Sequence, residues 1–240
     1  MPNRIGRKVR KTKEVKIETK ILLDKAGEYQ ILISAEKEEP DFAFSALNLF
    51  EHLFAQIYHH GRIGGYIKGS GDLPHHLIED IGILWGQALK DALGDRKGIE
   101  RFQSLSVPFE GSLALVAIDL SGRGYAVLDF QDMDNKALAG MAQHLFEGIA
   151  LNAGFNIYGK VETAGTLRND HHKLEAFCKA FGRCLQGAYK DYWLGCCPQH
   201  KRDFVKIYKR GLDFSNPFFL SIKSKRNSIP RALFKTYSLK

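Results

Sequence analysis

His75-His76-Leu77-Ile78-Glu79 and His171-His172-Lys173-Leu174-Glu175 are one short pattern written twice, with starts 96 residues apart (75 and 171). Each copy opens a segment with helical apolar spacing. Residues four apart share a helix face, so His75 with Glu79, or His171 with Glu175, can reach one ion together. Adjacent imidazoles diverge by about 100° around the axis, so the two members of each pair serve different ions. Each ion is therefore expected to draw on both halves of the chain, or on two chains. Two imidazoles and a carboxylate suit a borderline divalent cation such as Mn²⁺, Zn²⁺ or Fe²⁺. Two such clusters at matched positions predict a duplicated fold with a paired metal centre.

The repeat extends outward from these motifs. His52-Leu-Phe-Ala-Gln-Ile57 is echoed by His144-Leu-Phe-Glu-Gly-Ile149, at an offset of 92 (52 and 144). A tyrosine in a β-like run, Tyr66 and Tyr158, follows each histidine. Val15 to Leu23 alternates as a strand, Gly27 marks a turn, and Gln30 to Ala35 reads as the hairpin partner. Phe44 to Ile57 and Ile78 to Leu93 have helical spacing, with Gly94 as a C-cap signal. Leu113 to Leu120 is an apolar strand closed by Ser121-Gly122-Arg123, and Gly124 to Phe130 reads as its returning strand. Residues 136–151 and 171–188 repeat the two helices. The expectation is an α+β fold of two similar sheet-and-helix halves, layered, with residues 5–100 and 101–190 as the halves. Residues 191–240 match neither half and form a basic, Phe-rich extension.

A chain of 240 residues with 44% apolar content can bury a sizeable core. No apolar run approaches the ~20 residues that span a bilayer, and the basic start lacks the apolar core of a signal peptide, so a cytoplasmic location without membrane contact is expected. The net charge of +8 is concentrated at the ends: eight Lys or Arg in the first 20 residues and eleven in residues 201–240. Nothing interleaves aromatics with basics as a nucleic-acid platform does, so the charge is read as drawing a phosphorylated metabolite instead. Cys178, Cys184, Cys196 and Cys197 are irregularly spaced and are expected as reduced thiols.

Metal ligation is assigned to His75, His76, Glu79, His171, His172 and Glu175, and also to His52. His144, flanked by apolar residues, is set aside as a satisfied core histidine. Arg101 and Arg123 follow the turn-like segments Lys97-Gly98 and Ser121-Gly122, where a guanidinium can hold a phosphate through two parallel hydrogen bonds.

Several ordered segments together resemble the imidazoleglycerol-phosphate dehydratase family. They are Arg10-Lys-Thr-Lys-Glu14, Phe50-Glu-His52-Leu-Phe-Ala-Gln56, His60-Gly61, Gly71-Asp-Leu and His75-His-Leu-Ile-Glu-Asp80. Ala92-Leu-Gly-Asp-Arg-Lys-Gly98, Arg101-Phe102, Asp119-Leu-Ser-Gly-Arg123, Asn169-Asp-His-His-Lys-Leu-Glu-Ala176 and Lys179-Ala-Phe-Gly-Arg183 complete the set. The likeness spans roughly residues 5 to 190. It implies a duplicated α+β fold of the ribosomal protein S5 domain 2-like kind. It also implies two Mn²⁺ ions per chain and a large cubic homo-oligomer, a 24-mer in that family. The activity implied is dehydration of imidazole glycerol phosphate to imidazole acetol phosphate in histidine biosynthesis. By the same resemblance Glu14, with Glu175, does acid–base work, and Gln56, Arg101, Arg123 and Lys179 surround the substrate and its phosphate.

The chain departs from that pattern in four places. Tyr158 stands where the resemblance implies a ligand histidine, the segment before His75 is shorter, and Glu51 replaces an aspartate before His52. The family's C-terminal Ser-Ser-Lys-Gly segment has no convincing counterpart in Ser221-Ile-Lys-Ser-Lys225. The alternative expectation is therefore a catalytically impaired family member that persists as a metal-binding or assembly protein.

Overall fold

Alternation of β-branched and charged residues along Val15–Leu22 puts Val15, Ile17, Thr19 and Ile21 on a buried face and Lys16, Glu18 and Lys20 outward. The computed structural model describes residues 4–37, 44–163 and 169–191, which form one compact unit. Their elements run β1 (Ile5–Lys11), β2 (Val15–Leu22), β3 (Tyr29–Ala35), α1 (Phe44–Gly61), β4 (Gly64–Gly71) and α2 (Pro74–Leu93) in the first half. The second half follows as β5 (Phe102–Phe109), β6 (Ser112–Asp119), β7 (Tyr125–Asp129), α3 (Lys136–Ala153), β8 (Asn156–Thr163) and α4 (Asp170–Tyr189).

Two four-stranded sheets result, ordered β1-β2-β4-β3 and β5-β6-β8-β7, the same topology twice. Two expected hairpins are corrected. Gln30 to Ala35 does not pair with β2; β3 lies parallel to β4, while β2 pairs antiparallel with both β1 and β4. Likewise Gly124 to Phe130 does not return onto β6, because β7 runs parallel to β8. Each parallel pair is joined by a helix, α1 or α3, which is the crossover that a parallel connection requires.

The helices put their apolar stripes inward, α2 against β1 and β2 and α4 against β5 and β6, and the halves meet helix to helix, α1 on α4 and α2 on α3. A single core results, with Phe50, Phe54, Trp85, Phe146, Phe177 and Phe181 fully buried. Glycine sets the approach of the crossing helices. A Cβ on Gly86 would lie 2.7 Å from the Ile149 carbonyl oxygen, and one on Gly182 would lie 2.9 Å from that of Ile57. Gly86 and Gly182 are equivalent in the repeat, as are Ile57 and Ile149, so one glycine contact is used twice. Gly94 closes α2 at φ 57°, as its C-cap signal predicts. Among the described residues no helix is long and apolar enough to cross a membrane.

Candidate metal centre

The crossing of α1 and α4 brings His52, from the first half, to His171 and Glu175, from the second. Glu175 Oε2 lies 3.3 Å from His52 Nε2 and 3.2 Å from His171 Nε2. The two imidazoles stack with centroids 5.3 Å apart, and one donor atom from each of the three residues falls within 4.8 Å of the others. Glu175 is buried, whereas His52 and His171 are partly open to solvent. Its other oxygen takes a 2.8 Å ion pair from Lys179, and the Gln56 amide nitrogen lies 3.4 Å from His52 Nε2. Burial pushes the Glu175 carboxyl up, but the hydrogen bonds from Lys179 and His52 outweigh it and hold the group below the ordinary carboxylate value. Two nitrogens and an ionised oxygen converging on one point fit a borderline divalent cation.

The repeat generates a second meeting point from α2 and α3. His144 Nδ1 lies 2.8 Å from Glu79 Oε1. His144 is the repeat equivalent of His52, and Glu79 that of Glu175, so each HHxxE helix faces a histidine from the other half. This corrects the reading of His144 as a core residue: its side chain is 59% exposed and its apolar neighbours, not the imidazole, enter the core. Beside it the His75 and His76 rings lie 4.1 Å apart, and His76 Nδ1 meets Asp72 Oδ1 at 2.9 Å. Burial raises the Asp80 carboxyl above its ordinary value despite the Arg10 guanidinium 3.0 Å away, and the negative charges of Glu14 and Glu79 push it the same way. This end of α2 thus concentrates carboxylates around its histidines. Glu14 belongs to it, since its carbonyl accepts a hydrogen bond from the Asp72 amide.

The His171 and His172 rings stand edge to face, with centroids 5.8 Å apart and planes at 85°. His172 leaves the three-residue cluster and packs edge-on against Phe109, whose ring also lies under the Lys179 ammonium. Arg101 and Arg123 flank the end of β6. Arg101 is held by Asp119 at 2.7 Å and 3.2 Å, while Arg123 is exposed in the turn. Tyr158 is 47% exposed on the outer face of the second sheet, beside Phe102, Tyr125 and Val127. Its neighbours Ile157 and Gly159 face inward, and a Cβ on Gly159 would strike Phe177 of α4. Within the chain, a side chain at 158 therefore points away from the helix that carries His171 and Glu175.

Spacing alone missed two participants. His144 was masked by its apolar neighbours, although its place in the repeat marks it. Asp72, in the Gly71-Asp-Leu segment before α2, carries no ligand signal of its own in the sequence beyond standing four residues before His76. Cys178 and Cys184 are free and buried. Cys196, Cys197, residues 192–240 and the Ser221–Lys225 segment lie outside the described residues.

A family model described as imidazoleglycerol-phosphate dehydratase matches residues 45–185. The imidazoleglycerol-phosphate dehydratase of Lacticaseibacillus paracasei is 39% identical over 186 residues, covering 75% of this chain and 88% of that protein. That of Methanoculleus marisnigri is 41% identical over 150 residues, 60% of this chain and 76% of that protein. The crystal structure of the Staphylococcus aureus imidazoleglycerol-phosphate dehydratase superposes with a TM-score of 0.62 at 25% identity, over 78% of this chain and 99% of that one. The Pyrococcus furiosus structure, solved in complex with (S)-C348, gives 0.61 at 27% identity, over 77% and 94%.

Proposed function

This chain belongs to the imidazoleglycerol-phosphate dehydratase family, and we propose that it dehydrates imidazole glycerol phosphate to imidazole acetol phosphate in histidine biosynthesis as a metal-dependent carbon–oxygen lyase. The observation that carries the reading is the convergence of His52, His171 and Glu175, repeated in its essentials by His144 and Glu79. One cation, Mn²⁺ on this reading, is assigned to His52, His171 and Glu175, and a second to Glu79 and His144. His75, His76 and His172 are proposed as the remaining donors, shared between the two ions by both halves or by two chains. A divalent cation bound there supplies Lewis-acid polarisation of the substrate's imidazole nitrogens, which makes the ring an electron sink.

The remaining work falls to the protein's own groups. Glu14, exposed beside the start of α2, is assigned the proton on the hydroxyl-bearing side-chain carbon adjacent to the carbon that loses its hydroxyl. Loss of that proton and of hydroxide is net loss of water, and the resulting enol becomes the ketone. Arg101, Arg123 and Lys179 are assigned to the phosphate, where paired N–H donors and positive charge suit a dianion. Arg101 and Lys179 are already paired with Asp119 and Glu175; Arg101 sits by Ala188 at the opposite end of α4 from Glu175, so on this reading the two reach one substrate only from different chains. Gln56, beside His52, is assigned to orient the ring. The working form is proposed as a cytoplasmic homo-oligomer.

The impaired-member reading rests on Tyr158 and on the altered C-terminal segment. Tyr158 points away from the metal cluster of its own chain, which supports the lyase reading for any ion held within one chain. The test is direct: Mn²⁺-loaded protein incubated with imidazole glycerol phosphate is expected to yield a product lighter by one water, and chelation is expected to stop the reaction. Absence of product from assembled protein carrying two ions per chain defeats the lyase and leaves the impaired member.

A further inference from the structure

Lys173 stands between the histidines and the glutamate of the second motif, yet its side chain is completely buried. An ammonium out of water is tolerated only where oxygen atoms surround it. Here the ammonium donates to the Asp132 carbonyl and to Asp170 Oδ1, the latter at 3.2 Å, with the Asp132 carboxylate at 3.7 Å. Asp170 in turn accepts from the Asp134 and Asn135 amides, at 3.1 Å and 2.6 Å. Lys136 draws the flanking carbonyls of Gln131 and Met133 at 2.9 Å and 2.6 Å. Three successive carbonyls are thus turned onto two ammonium groups, and the segment between β7 and α3 is tied to the first turn of α4.

The first half has the same fold but lacks both charged residues of this knot on its α2 side. Leu77 and Pro74 occupy the positions equivalent to Lys173 and Asp170, and Leu77 is equally buried. A leucine therefore suffices to fill the space, and the charge at 173 serves another purpose. A buried ion cluster contributes little net stability but restricts geometry. What it restricts is the turn carrying His171 and His172, at a helix end of the kind that frays.

We propose that Lys173 is a positioning residue: through Asp170 and the Asp132 carbonyl it fixes the first turn of α4, so that His171 meets Glu175 and His52 ready for an ion. The proposal rests on the metal reading above. It is tested with Lys173→Met, which keeps the volume and removes the charge, and with the double variant Lys173→Met/Asp170→Asn, which leaves no charge of the 170–173 pair unpartnered. Hydrogen exchange of the amides in residues 170–175 is measured on ion-free protein, alongside the melting temperature and Mn²⁺ affinity. Both variants are expected to exchange faster there and to bind Mn²⁺ about 10- to 100-fold more weakly, the range seen when groups orienting metal ligands are removed. The double variant is expected to regain much of the melting temperature without regaining affinity. Affinity that returns with the melting temperature, or exchange unchanged in both variants, overturns the proposal. If the unaltered protein binds no Mn²⁺, the metal reading fails by itself, and the ion-free exchange still decides whether the knot holds the turn.

Discussion

The two HHxxE arms occupy equivalent places in the same supersecondary unit, but they are anchored by opposite means. The α2 arm begins at Pro74 with no side-chain cap and is seated by Leu77 in the core. The α4 arm begins with an Asn169 cap onto the His171 amide and is seated by the buried Lys173 cluster. The donors converge differently too: His52, His171 and Glu175 meet as a trio, whereas Glu79 and His144 meet as a pair beside His75 and His76. Outer faces also diverge. The first sheet presents Arg7, Lys16, Lys20 and Lys68 among Ile5, Val9 and Leu32, and the second presents Phe102, Leu113, Leu115, Tyr125, Val127 and Tyr158 beside the Lys160–Glu162 pair. The helix crossing is common to both halves because backbone contacts at Gly86 and Gly182 permit nothing else. Anchors and outer faces vary because many side chains can fill the same volume.

The largest test of equivalence is to remove each carboxylate. Glu175→Gln and Glu79→Gln are each expected to abolish one ion per chain by elemental analysis and to lower turnover by roughly 10³-fold, the several kcal/mol that Lewis-acid assistance supplies. Full retention of both ions by Glu79→Gln would end the analogy between the two meeting points.

Next are the shared crossings. Overpacking costs about 1–3 kcal/mol, against the ~1 kcal/mol that alanine gains over glycine in a helix. The struck atoms are backbone and cannot rotate aside, so overpacking wins. Gly86→Ala and Gly182→Ala should therefore lower stability similarly in urea titrations, and a loss confined to one of them would separate the two crossings.

A smaller difference concerns Arg4 and Arg101, equivalent residues with different partners. Arg4 pairs with Asp24 at 2.7 Å and also donates to the Tyr189 carbonyl. Burial raises the Asp24 carboxyl, but Arg4 wins and holds it below its ordinary 3.8. A carboxyl depressed in the folded state stabilises above its unfolded value and loses that contribution as pH falls through the folded one. Acid unfolding monitored below pH ~4 should therefore be less steep in Arg4→Ala than in the unaltered protein. An identical acid limb would show that the pair contributes nothing. The smallest effect is expected from Tyr158→His: no more than about a twofold change in Mn²⁺ affinity, within the few tenths of a kcal/mol typical of surface changes. A gained ion would show that a neighbouring chain brings this face to the metal.

Much of this was legible from residue order. The helix starting at Phe44 was placed at its first residue because 3.6-residue apolar spacing needs no partner to be visible. The HHxxE repeat likewise announced the duplication. Partner choice was not legible. The alternation of Gln30 to Ala35 says which side chains are buried but is silent on whether the neighbouring strand is β2 or β4. Ile5–Lys11, with four cationic residues among seven, shows no strand signal in its sequence, yet it is an edge strand whose charges keep it from pairing further. His144 was misplaced because apolar neighbours predict the burial of a helix stripe, not the direction of one ring a hundred degrees away.

Sequence alone determined the unit that is repeated and the helices that bear the candidate donors, because these depend on periodicity and on the chemistry of single side chains. The tertiary structure decided which donors share a point. His52 meets Glu175, and His144 meets Glu79, only because helices far apart in the chain cross on glycines, and contacts between distant segments are fixed by packing that no local pattern encodes.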